Sequence, residues 1–232
     1  MLAANQVDVW RVDLSRQQEG IQRCRQLLSP DEIDRADRFY FEKHRRRFTV
    51  ARAAMRQILA RYVNVAPRDL VFSYGVKGKP ELADGPKKSG ITFNLSHSSE
   101  LALLAVANGP PLGVDVELVN PEFATEEIAE RFFSASEVNC LRTLPSSERA
   151  TGFFSCWTRK EAYIKALGEG LSIPLDSFEV AYGPGVSAAL LQVRVNPGEV
   201  SRWSMYDLNA GGKYKAAMVV EGKGHRVKFF DF

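Results

Sequence analysis

Residues that mark several protein classes are scarce in this 232-residue sequence. Its three cysteines are too few and too widely spaced for a disulfide framework or a paired-thiolate zinc motif, and its three histidines show no zinc pattern. The longest plain apolar run, 101–107, is far shorter than the about 20 residues that a membrane-spanning helix needs. Charged residues also interrupt the beginning of the chain, where a signal peptide would be apolar. We therefore expect a cytoplasmic protein that makes no membrane contact.

The sequence also lacks a strong charge of one sign. Its 31 lysines and arginines nearly balance 28 aspartates and glutamates, and a net charge of +3 is too small to indicate nucleic-acid binding by the whole chain. The exception is residues 35–56, the basic segment, where only Asp37 and Glu42 are acidic. Its basic residues are Arg35, Arg38, Lys43, Arg45, Arg46, Arg47, Arg52 and Arg56. This local excess indicates an anionic partner, unless it is only the solvated surface of a helix.

Hydrophobic residues make up 45% of the chain and charged residues 25%, which is the usual balance of a globular protein. Hydrophobic periodicity predicts an α+β protein, in which helices and strands are interspersed. Capping boxes at Ser29–Glu32 and Ser134–Glu137 predict two helix starts, and longer helices are predicted over 48–62 and 149–167. Strands are predicted at 7–12, 71–74, 91–95, 101–107, 112–118, 178–182, 190–195, 203–208 and 214–220.

The order of these elements is nearly the same in the two halves of the chain. In each half an aromatic residue follows the serine of the capping box by 19 residues, early in the longer helix. That helix then leads to a strand that ends in Tyr-Gly, at 74–75 and at 182–183. The repeat predicts a pseudo-dimer of two similar α+β halves, residues 1–108 and residues 109–232. Chance recurrence of common elements is the alternative.

Two carboxylates occupy alternate positions of the predicted strand 112–118. Asp115 and Glu117 lie on one face of it, because alternate strand residues share a face. Like charges so close together repel each other unless a cation lies between them, and Mg²⁺ prefers such oxygen ligands. The pattern therefore indicates a Mg²⁺ site, with a solvated strand face at a sheet edge as the ordinary alternative.

Trp157, Glu161 and Lys165, at a spacing of four, lie along one side of the long helix in the second half. Glu161 is a candidate third carboxylate for a metal held by Asp115 and Glu117. Lys165, one turn later, is placed to meet a phosphate oxygen. The alternative is a surface Glu–Lys pair, which stabilises a helix by about 0.3–0.5 kcal/mol.

Polar and basic residues of the first half form a second candidate site. Ser96 and His97 directly follow the predicted strand 91–95, where a hydroxyl and an imidazole suit a phosphate-binding loop. Lys79 lies in a turn, and Arg47 carries the guanidinium fork that binds phosphate bidentately. The ordinary alternatives are a structural histidine, a solvated lysine and a charged helix surface. A catalytic Ser–His pair is disfavoured, because sequence neighbours rarely reach that geometry.

An ordered set of motifs covers nearly the whole chain. It consists of Ser29-Pro30, Arg38-Phe39-Tyr40, Arg47, Arg56, Gly78-Lys79-Pro80, Asn94-Leu95-Ser96-His97-Ser98, Gly113-Val114-Asp115-Val116-Glu117, Arg131-Phe132-Phe133-Ser134, Trp157-Thr158-Arg159-Lys160-Glu161-Ala162, Lys165 and Gly170-Leu171-Ser172-Ile173-Pro174-Leu175. This set resembles the Sfp-type 4′-phosphopantetheinyl transferases, strongly from Ser29 to Tyr182 and loosely at the ends. As an ordered set it is highly specific.

The resemblance implies an enzyme that moves 4′-phosphopantetheine from coenzyme A to a serine of an apo acyl or peptidyl carrier protein, releasing 3′,5′-ADP. It also implies a pseudo-dimer of two α+β halves. Asp115, Glu117 and Glu161 are then the Mg²⁺ carboxylates, and Asp115, Glu161 and Lys165 are the catalytic residues. Contacts to coenzyme A fall to Arg47, Lys79, Ser96, His97, Asp115, Lys160, Glu161 and Lys165. Glu161, directly or through a metal-bound water, is the candidate base for the attacking serine.

The resemblance also implies a second anionic partner, since carrier proteins are typically acidic, and residues 125–144 are the candidate docking surface. The sequence leaves open whether the carrier serves fatty acid, polyketide, nonribosomal peptide or lysine biosynthesis. A monomer is expected, because the chain contains both halves.

The sequence departs from the family pattern at Glu32, which stands where some relatives carry a phosphate-binding lysine. Two further hypotheses stay open beside the Mg²⁺-dependent transferase. One is a nucleic-acid-binding module built on the basic segment, and the other is a relative that binds coenzyme A without transferring anything. The first predicts strongly salt-dependent binding to DNA or RNA.

Overall fold

The computed structural model describes residues 2–15, 18–75, 77–83, 89–168 and 170–232. The chain divides into two compact units, the first of residues 1–109 with 226–232 and the second of residues 110–225. Each unit combines helices with mainly antiparallel strands, so the predicted α+β class is confirmed.

The helices and strands follow one another in the predicted order. The strands are β1 (Gln6–Asp13), β2 (Phe72–Tyr74), β3 (Pro80–Leu82), β4 (Ile91–Ser98), β5 (Leu101–Asn108), β6 (Leu112–Leu118), β7 (Phe178–Ala181), β8 (Ala189–Val193), β9 (Trp203–Asp207), β10 (Tyr214–Glu221) and β11 (Arg226–Asp231). The α-helices are α1 (Gln18–Arg25), α2 (Pro30–Asp37), α3 (Glu42–Val63), α4 (Glu126–Phe132), α5 (Ala135–Thr143), α6 (Ser146–Leu167) and α7 (Glu199–Arg202). Every predicted strand and helix is confirmed, whereas β3, β11, α1, α4 and α7 were not predicted. Within the described part of the chain, no helix is long and apolar enough to cross a membrane.

A four-stranded sheet in the order β11-β1-β5-β4 forms the centre of the first unit. All of β5 except Asn108 is buried, as its uninterrupted apolar sequence predicts. The apolar side of α3, with Met55 and Ile58, shares one core with Leu104 of β5. β11 pairs in parallel with β1. Residues 226–232 therefore belong to the first unit, although the predicted boundary placed them with the second half.

A three-stranded antiparallel sheet in the order β6-β10-β9 forms the centre of the second unit, and α6 packs against β6 and β10. The closest approach is at Gly113 of β6, where a Cβ atom would meet the backbone of Ala162 and Ala166. Only glycine lets the helix lie so near the strand. Gly113 thus sets the spacing between β6 and α6.

Both predicted capping boxes are present. The backbone N–H of Ser29 donates to Glu32 at 3.1 Å, and that of Ser134 donates to Glu137 at 2.8 Å. Each box begins a short helix that precedes a helix of 22 residues, α3 in the first unit and α6 in the second. The sequence repeat therefore corresponds to the same local structure in both units.

Candidate functional site

The second unit brings together Asp115, Glu117, Glu161 and Lys165, which we call the carboxylate cluster. Asp115 is only 2% exposed. The Lys165 ammonium lies 2.5 Å from its Oδ1 atom. Glu161 interacts electrostatically with the other three side chains. The burial of Asp115 excludes a solvated strand face, and the bond from Lys165 to Asp115 excludes a simple surface Glu–Lys pair.

The cluster forms because β6 and α6 present their polar residues toward each other. Gly113, Asp115 and Glu117 share one face of β6, since they occupy alternate positions, and Gly113 contacts α6. On α6, Glu161 and Lys165 are one turn apart and therefore lie on one side of the helix. The sequence-predicted spacing thus produces the predicted neighbours.

The carboxylate cluster brings several negatively charged groups close together, and this shifts the pKa values of its members. Burial raises the pKa of Glu161 to about 7, and Asp115 and Glu117 add to this rise while Lys165 opposes it. Burial alone would lower the pKa of Lys165, but its ion pair with Asp115, together with the charges of Glu161 and Glu117, leaves that pKa raised. Three carboxylates face one ammonium, so the cluster favours additional positive charge.

The donor set fits a divalent cation, although the side chains are not arranged as ligands in this structure. Among the described residues, no three Asp, Glu, His or Cys side chains form a ready metal site. The Lys165 ammonium forms an ion pair with the Asp115 carboxylate, at a position where a metal cation could bind instead. Oxygen donors with excess negative charge are what Mg²⁺ prefers. The chemistry of Asp115, Glu117 and Glu161 therefore agrees with the predicted metal, while the metal itself stays a prediction.

In the first unit, two adjacent guanidinium groups share one carboxylate. Arg46 and Arg47 each place a nitrogen 2.8 Å from Oε1 of Glu100. Glu100 lies in the two-residue turn between β4 and β5, so α3 is tied to that hairpin. Guanidinium groups bind phosphate in the same way as carboxylate, so a phosphate can compete with Glu100 for this pair. Arg47 is thus in surroundings that agree with its predicted role.

Ser96 and His97 lie inside β4 rather than in a loop after a strand, which corrects that part of the prediction. The strand continues as far as Ser98, which pairs with Leu101 across the turn. Neighbouring strand residues project from opposite faces, so Ser96 is buried and His97 is exposed. The two side chains therefore do not lie next to each other on one surface.

Lys79 lies in the turn between β2 and β3, as predicted. The N–H of Gly75 donates to its carbonyl at 3.0 Å, and Gly78 has a φ of 79° that favours glycine. Burial lowers the pKa of the Lys79 ammonium to about 8, and nearby Glu81 opposes that fall. A half-buried ammonium is stabilised by any anion that comes beside it.

The predicted contact of Lys160 with coenzyme A is wrong. Its side chain is fully buried, and its Nζ donates to the carbonyl oxygens of Leu175 at 2.8 Å and Phe178 at 2.6 Å. It also lies 2.8 Å from Oε2 of Glu137, the glutamate of the capping box. These partners use all three donors of the ammonium group. Lys160 therefore holds the second unit together and cannot reach a ligand in solvent.

Glu32 has the corresponding role in the first unit. It is buried, and Arg52 Nε donates to it at 2.8 Å and Arg56 Nε at 2.6 Å. Glu32 is thus a structural carboxylate at the position where some relatives carry a lysine. The guanidinium groups of Arg52 and Arg56 are paired with Glu32 inside the fold. These two arginines are therefore not part of an anion-binding surface, although the basic segment predicted one that included them. No sequence signal separated these two arginines from their neighbours.

Comparison with known proteins gives one consistent result. The profile of the 4′-phosphopantetheinyl transferase superfamily matches residues 111–219, and the profile described as 4′-phosphopantetheinyl transferase, N-terminal, matches residues 13–109. The chain is 40% identical over 231 residues to the 4′-phosphopantetheinyl transferase HetI of Nostoc sp., covering 100% of this chain and 94% of that protein. It is 34% identical over 169 residues to the 4′-phosphopantetheinyl transferase Sfp of Bacillus subtilis, covering 73% of each. The crystal structure of Thermotoga maritima holo-[acyl-carrier-protein] synthase is 26% identical, with a TM-score of 0.40 over 49% of this chain and 64% of that one.

Proposed function

This chain belongs to the 4′-phosphopantetheinyl transferase superfamily, and from that premise we propose which of its residues carry out the transfer. The enzyme moves 4′-phosphopantetheine from coenzyme A to a serine of a carrier protein. The serine oxygen bonds to the phosphorus that bears pantetheine, the bond from that phosphorus to the bridging oxygen breaks, and 3′,5′-ADP leaves. The protein must therefore accept the serine proton and stabilise negative charge on the leaving phosphate.

The carboxylate cluster carries this assignment. Asp115, Glu117 and Glu161 would hold Mg²⁺, which when bound neutralises charge on the pyrophosphate and the leaving group. Lys165, one helical turn from Glu161, brings a further positive charge toward a phosphate oxygen. Glu161 is the base that accepts the proton of the attacking serine. Asp115 keeps Lys165 in position through their ion pair.

Coenzyme A contacts in the first unit fall to Arg47, Lys79, Ser96 and His97. Arg47 and His97 bind the 3′-phosphate, and the position of the Arg47 guanidinium beside that of Arg46 supports this. Lys79 binds a second anionic group, since its burial favours an anion beside it. His97 is exposed and therefore accessible to a ligand, whereas Ser96 is buried and stays a proposed contact.

Several finer expectations remain part of this proposal. They are the use of Mg²⁺, a cytoplasmic monomer, the lack of nucleic-acid and membrane partners, and a carrier from fatty acid, polyketide, nonribosomal peptide or lysine biosynthesis. The chain retains its full carboxylate set, which argues against a relative that only binds coenzyme A. The nucleic-acid hypothesis leaves that set unexplained, because carboxylates repel phosphate unless a cation intervenes.

The experiment is a transfer assay read by the intact mass of each carrier, with a panel of apo acyl and peptidyl carrier proteins. We expect the wild type to add phosphopantetheine to at least one carrier. Asp115→Asn and Glu161→Gln should each lower kcat by about 10²–10³-fold at limiting Mg²⁺. Glu122→Gln, which changes an exposed carboxylate of the same unit, should have no effect. Full activity of both cluster variants would overturn the assigned site.

A further inference from the structure

The turn between β4 and β5 in the first unit carries a carboxylate that two arginines of α3 share. Oε1 of Glu100 accepts from Nη2 of Arg46 at 2.8 Å, and from Nε and Nη2 of Arg47 at 3.2 Å and 2.8 Å. Oε2 of Glu100 accepts from Nη2 of Arg46 at 2.9 Å. Glu100 therefore occupies one edge of the Arg47 guanidinium group, and such an edge is what arginine uses to bind a phosphate.

The main chain fixes the position of Glu100. The turn consists of Ser99 and Glu100, and Ser99 has a φ of 51°, the left-handed conformation that a two-residue hairpin turn favours. The carbonyl oxygen of Glu100 accepts from the N–H of Leu14 at 2.9 Å, which ties the turn to the residue that follows β1. Only the side chain of Glu100 therefore has to rotate for its carboxylate to leave Arg47.

The other acidic residues of this region have different partners. Glu42, also on α3, lies 3.0 Å from Arg45. Asp13, at the end of β1, accepts from the N–H of Ser15 at 2.8 Å. Among the residues that the structure describes, Glu100 is the carboxylate paired with Arg47.

The pair is accessible to water, and a phosphate brings more charge than the carboxylate does. The side chains of Arg47 and Glu100 are 18% and 35% exposed. Solvent weakens ion pairs in such surroundings, so this pair can open at a small cost. A phosphate monoester carries about −1.5 to −2 charges at pH 7 and three acceptor oxygens, more than a carboxylate. A phosphate can therefore displace Glu100, but part of its binding free energy is lost in doing so.

We propose that Glu100 competes with the 3′-phosphate of coenzyme A for Arg47, and thereby limits the affinity for both coenzyme A and 3′,5′-ADP. This inference rests on the proposed function, in which Arg47 binds that phosphate. The competition is specific to ligands that carry a 3′-phosphate, because Glu100 pairs with Arg46 and Arg47 and not with the carboxylate cluster.

The competition has a consequence for turnover. The 3′-phosphate is present in the substrate, in the transition state and in the product, so contacts to it stabilise all three. Such uniform binding does not speed the chemical step, and it slows the departure of the product. By competing for Arg47, Glu100 weakens the binding of 3′,5′-ADP and favours its release. Glu100 thus sets affinity and takes no part in the chemical step.

The test compares Glu100→Gln and Glu100→Ala with the wild type, by calorimetry at about 0.15 M salt, where exposed charges are screened beyond about 8 Å. Both variants should lower the Kd for coenzyme A and for 3′,5′-ADP by about three- to tenfold, as expected when exposed ion pairs no longer compete. The Kd for dephospho-coenzyme A should stay unchanged. In the transfer assay, inhibition by 3′,5′-ADP should strengthen by the same factor. Glu42→Gln is the matched control, since it removes an exposed carboxylate of α3 that pairs with Arg45, and it should leave every Kd unchanged.

A Kd for coenzyme A that is unchanged or higher in both Glu100 variants would overturn the proposal, because Glu100 would then only hold Arg47 in place. The proposal would also be overturned if dephospho-coenzyme A bound more tightly by the same factor, or if Glu42→Gln had an equal effect, since overall charge would then be the cause. A wild type that binds coenzyme A no more tightly than dephospho-coenzyme A would instead overturn the proposed contact of Arg47 with the 3′-phosphate, and this inference with it.

Discussion

At the scale of single residues, two lysines of α6 show how position on a helix decides a role. Lys160 points into the core and donates to Glu137 and to two backbone carbonyls. Lys165, further along the same helix, reaches Asp115 in the carboxylate cluster. The sequence motif contains both lysines and does not distinguish them. Burial separates them, and burial depends on what packs against each side of the helix.

We predict that Lys160→Met lowers the free energy of unfolding by about 3–5 kcal/mol, because it leaves the buried carboxylate of Glu137 without its cation. Urea unfolding measures this change. At low temperature, where the variant is still folded, its Kd for coenzyme A should equal that of the wild type. Normal stability combined with lost coenzyme A affinity would show that Lys160 is a ligand contact after all.

Lys79 gives a prediction for the pH dependence of ligand binding. Burial lowers the pKa of its ammonium to about 8, so the positive charge is present at neutral pH and is lost as the pH rises through that value. The Kd for coenzyme A should therefore increase between about pH 7 and 9. In Lys79→Arg, which stays charged, calorimetry should give a flat profile over that range. Identical profiles for the two proteins would mean that Lys79 does not bind the ligand.

Glu161 gives a prediction for stability in the absence of metal. Burial raises its pKa from 4.5 to about 7, so the folded protein holds this proton more tightly than the unfolded chain. The resulting stabilisation is complete below about pH 4.5 and is lost as the pH rises through about 7. In EDTA, the wild type should lose stability relative to Glu161→Gln between about pH 5 and 8. A constant difference across that range would contradict the assigned environment.

At the scale of elements, the spacing between β6 and α6 decides whether the cluster can form. Gly113→Ala places a Cβ against the backbone of Ala162 and Ala166, so the helix must move away from the strand. We predict a loss of about 1–3 kcal/mol in stability. Transfer activity should fall more than tenfold even in the folded fraction, because Glu161 moves relative to Asp115.

Gly20→Ala in α1 is the matched control, because a Cβ there meets no atom within 4 Å. It should leave activity unchanged and stability equal or slightly higher, since alanine favours a helix. Thermal unfolding and the transfer assay compare the two variants. Equal effects of the two substitutions would show that the strand–helix spacing does not matter.

Local signals explain which elements could be predicted from the sequence. Capping boxes and hydrophobic periodicity act within a few residues, and they predicted α2, α3, α5 and α6. β11 was missed because its pairing with β1 joins the two ends of the chain, which no local pattern reveals. The end of β4 was missed because Ser96 and His97 were interpreted as a loop, although the ladder with β5 continues to Ser98 at a tight turn.

At the scale of the whole molecule, the two units use one structural device with different residues. In each, the glutamate of a capping box is buried and held by cations from the 22-residue helix, Arg52 and Arg56 in one case and Lys160 in the other. The sequence repeat predicted the matching elements. It did not predict these ion pairs, because the partners differ in type and lie at different distances from the capping box.

The ion pairs also limit the nucleic-acid hypothesis for the whole chain. Within the basic segment, Arg52 and Arg56 bind Glu32, Arg46 and Arg47 bind Glu100, and Arg45 lies 3.0 Å from Glu42. Much of the local charge is therefore paired in the fold. We predict weak binding to a DNA duplex with a shallow salt dependence, measured by fluorescence anisotropy. A steep salt slope would indicate many phosphate contacts.

The measurement that tests the central claim most directly is the melting temperature of the wild type and Glu161→Gln with coenzyme A, with and without Mg²⁺. Dephospho-coenzyme A is the control ligand, and a ligand at 100 times its Kd stabilises a protein by about 2.7 kcal/mol. We predict a rise in the wild type that Mg²⁺ enhances and that weakens without the 3′-phosphate. In Glu161→Gln the enhancement by Mg²⁺ should disappear. An equal rise with and without Mg²⁺, or an unchanged enhancement in the variant, would contradict the carboxylate cluster as the metal site.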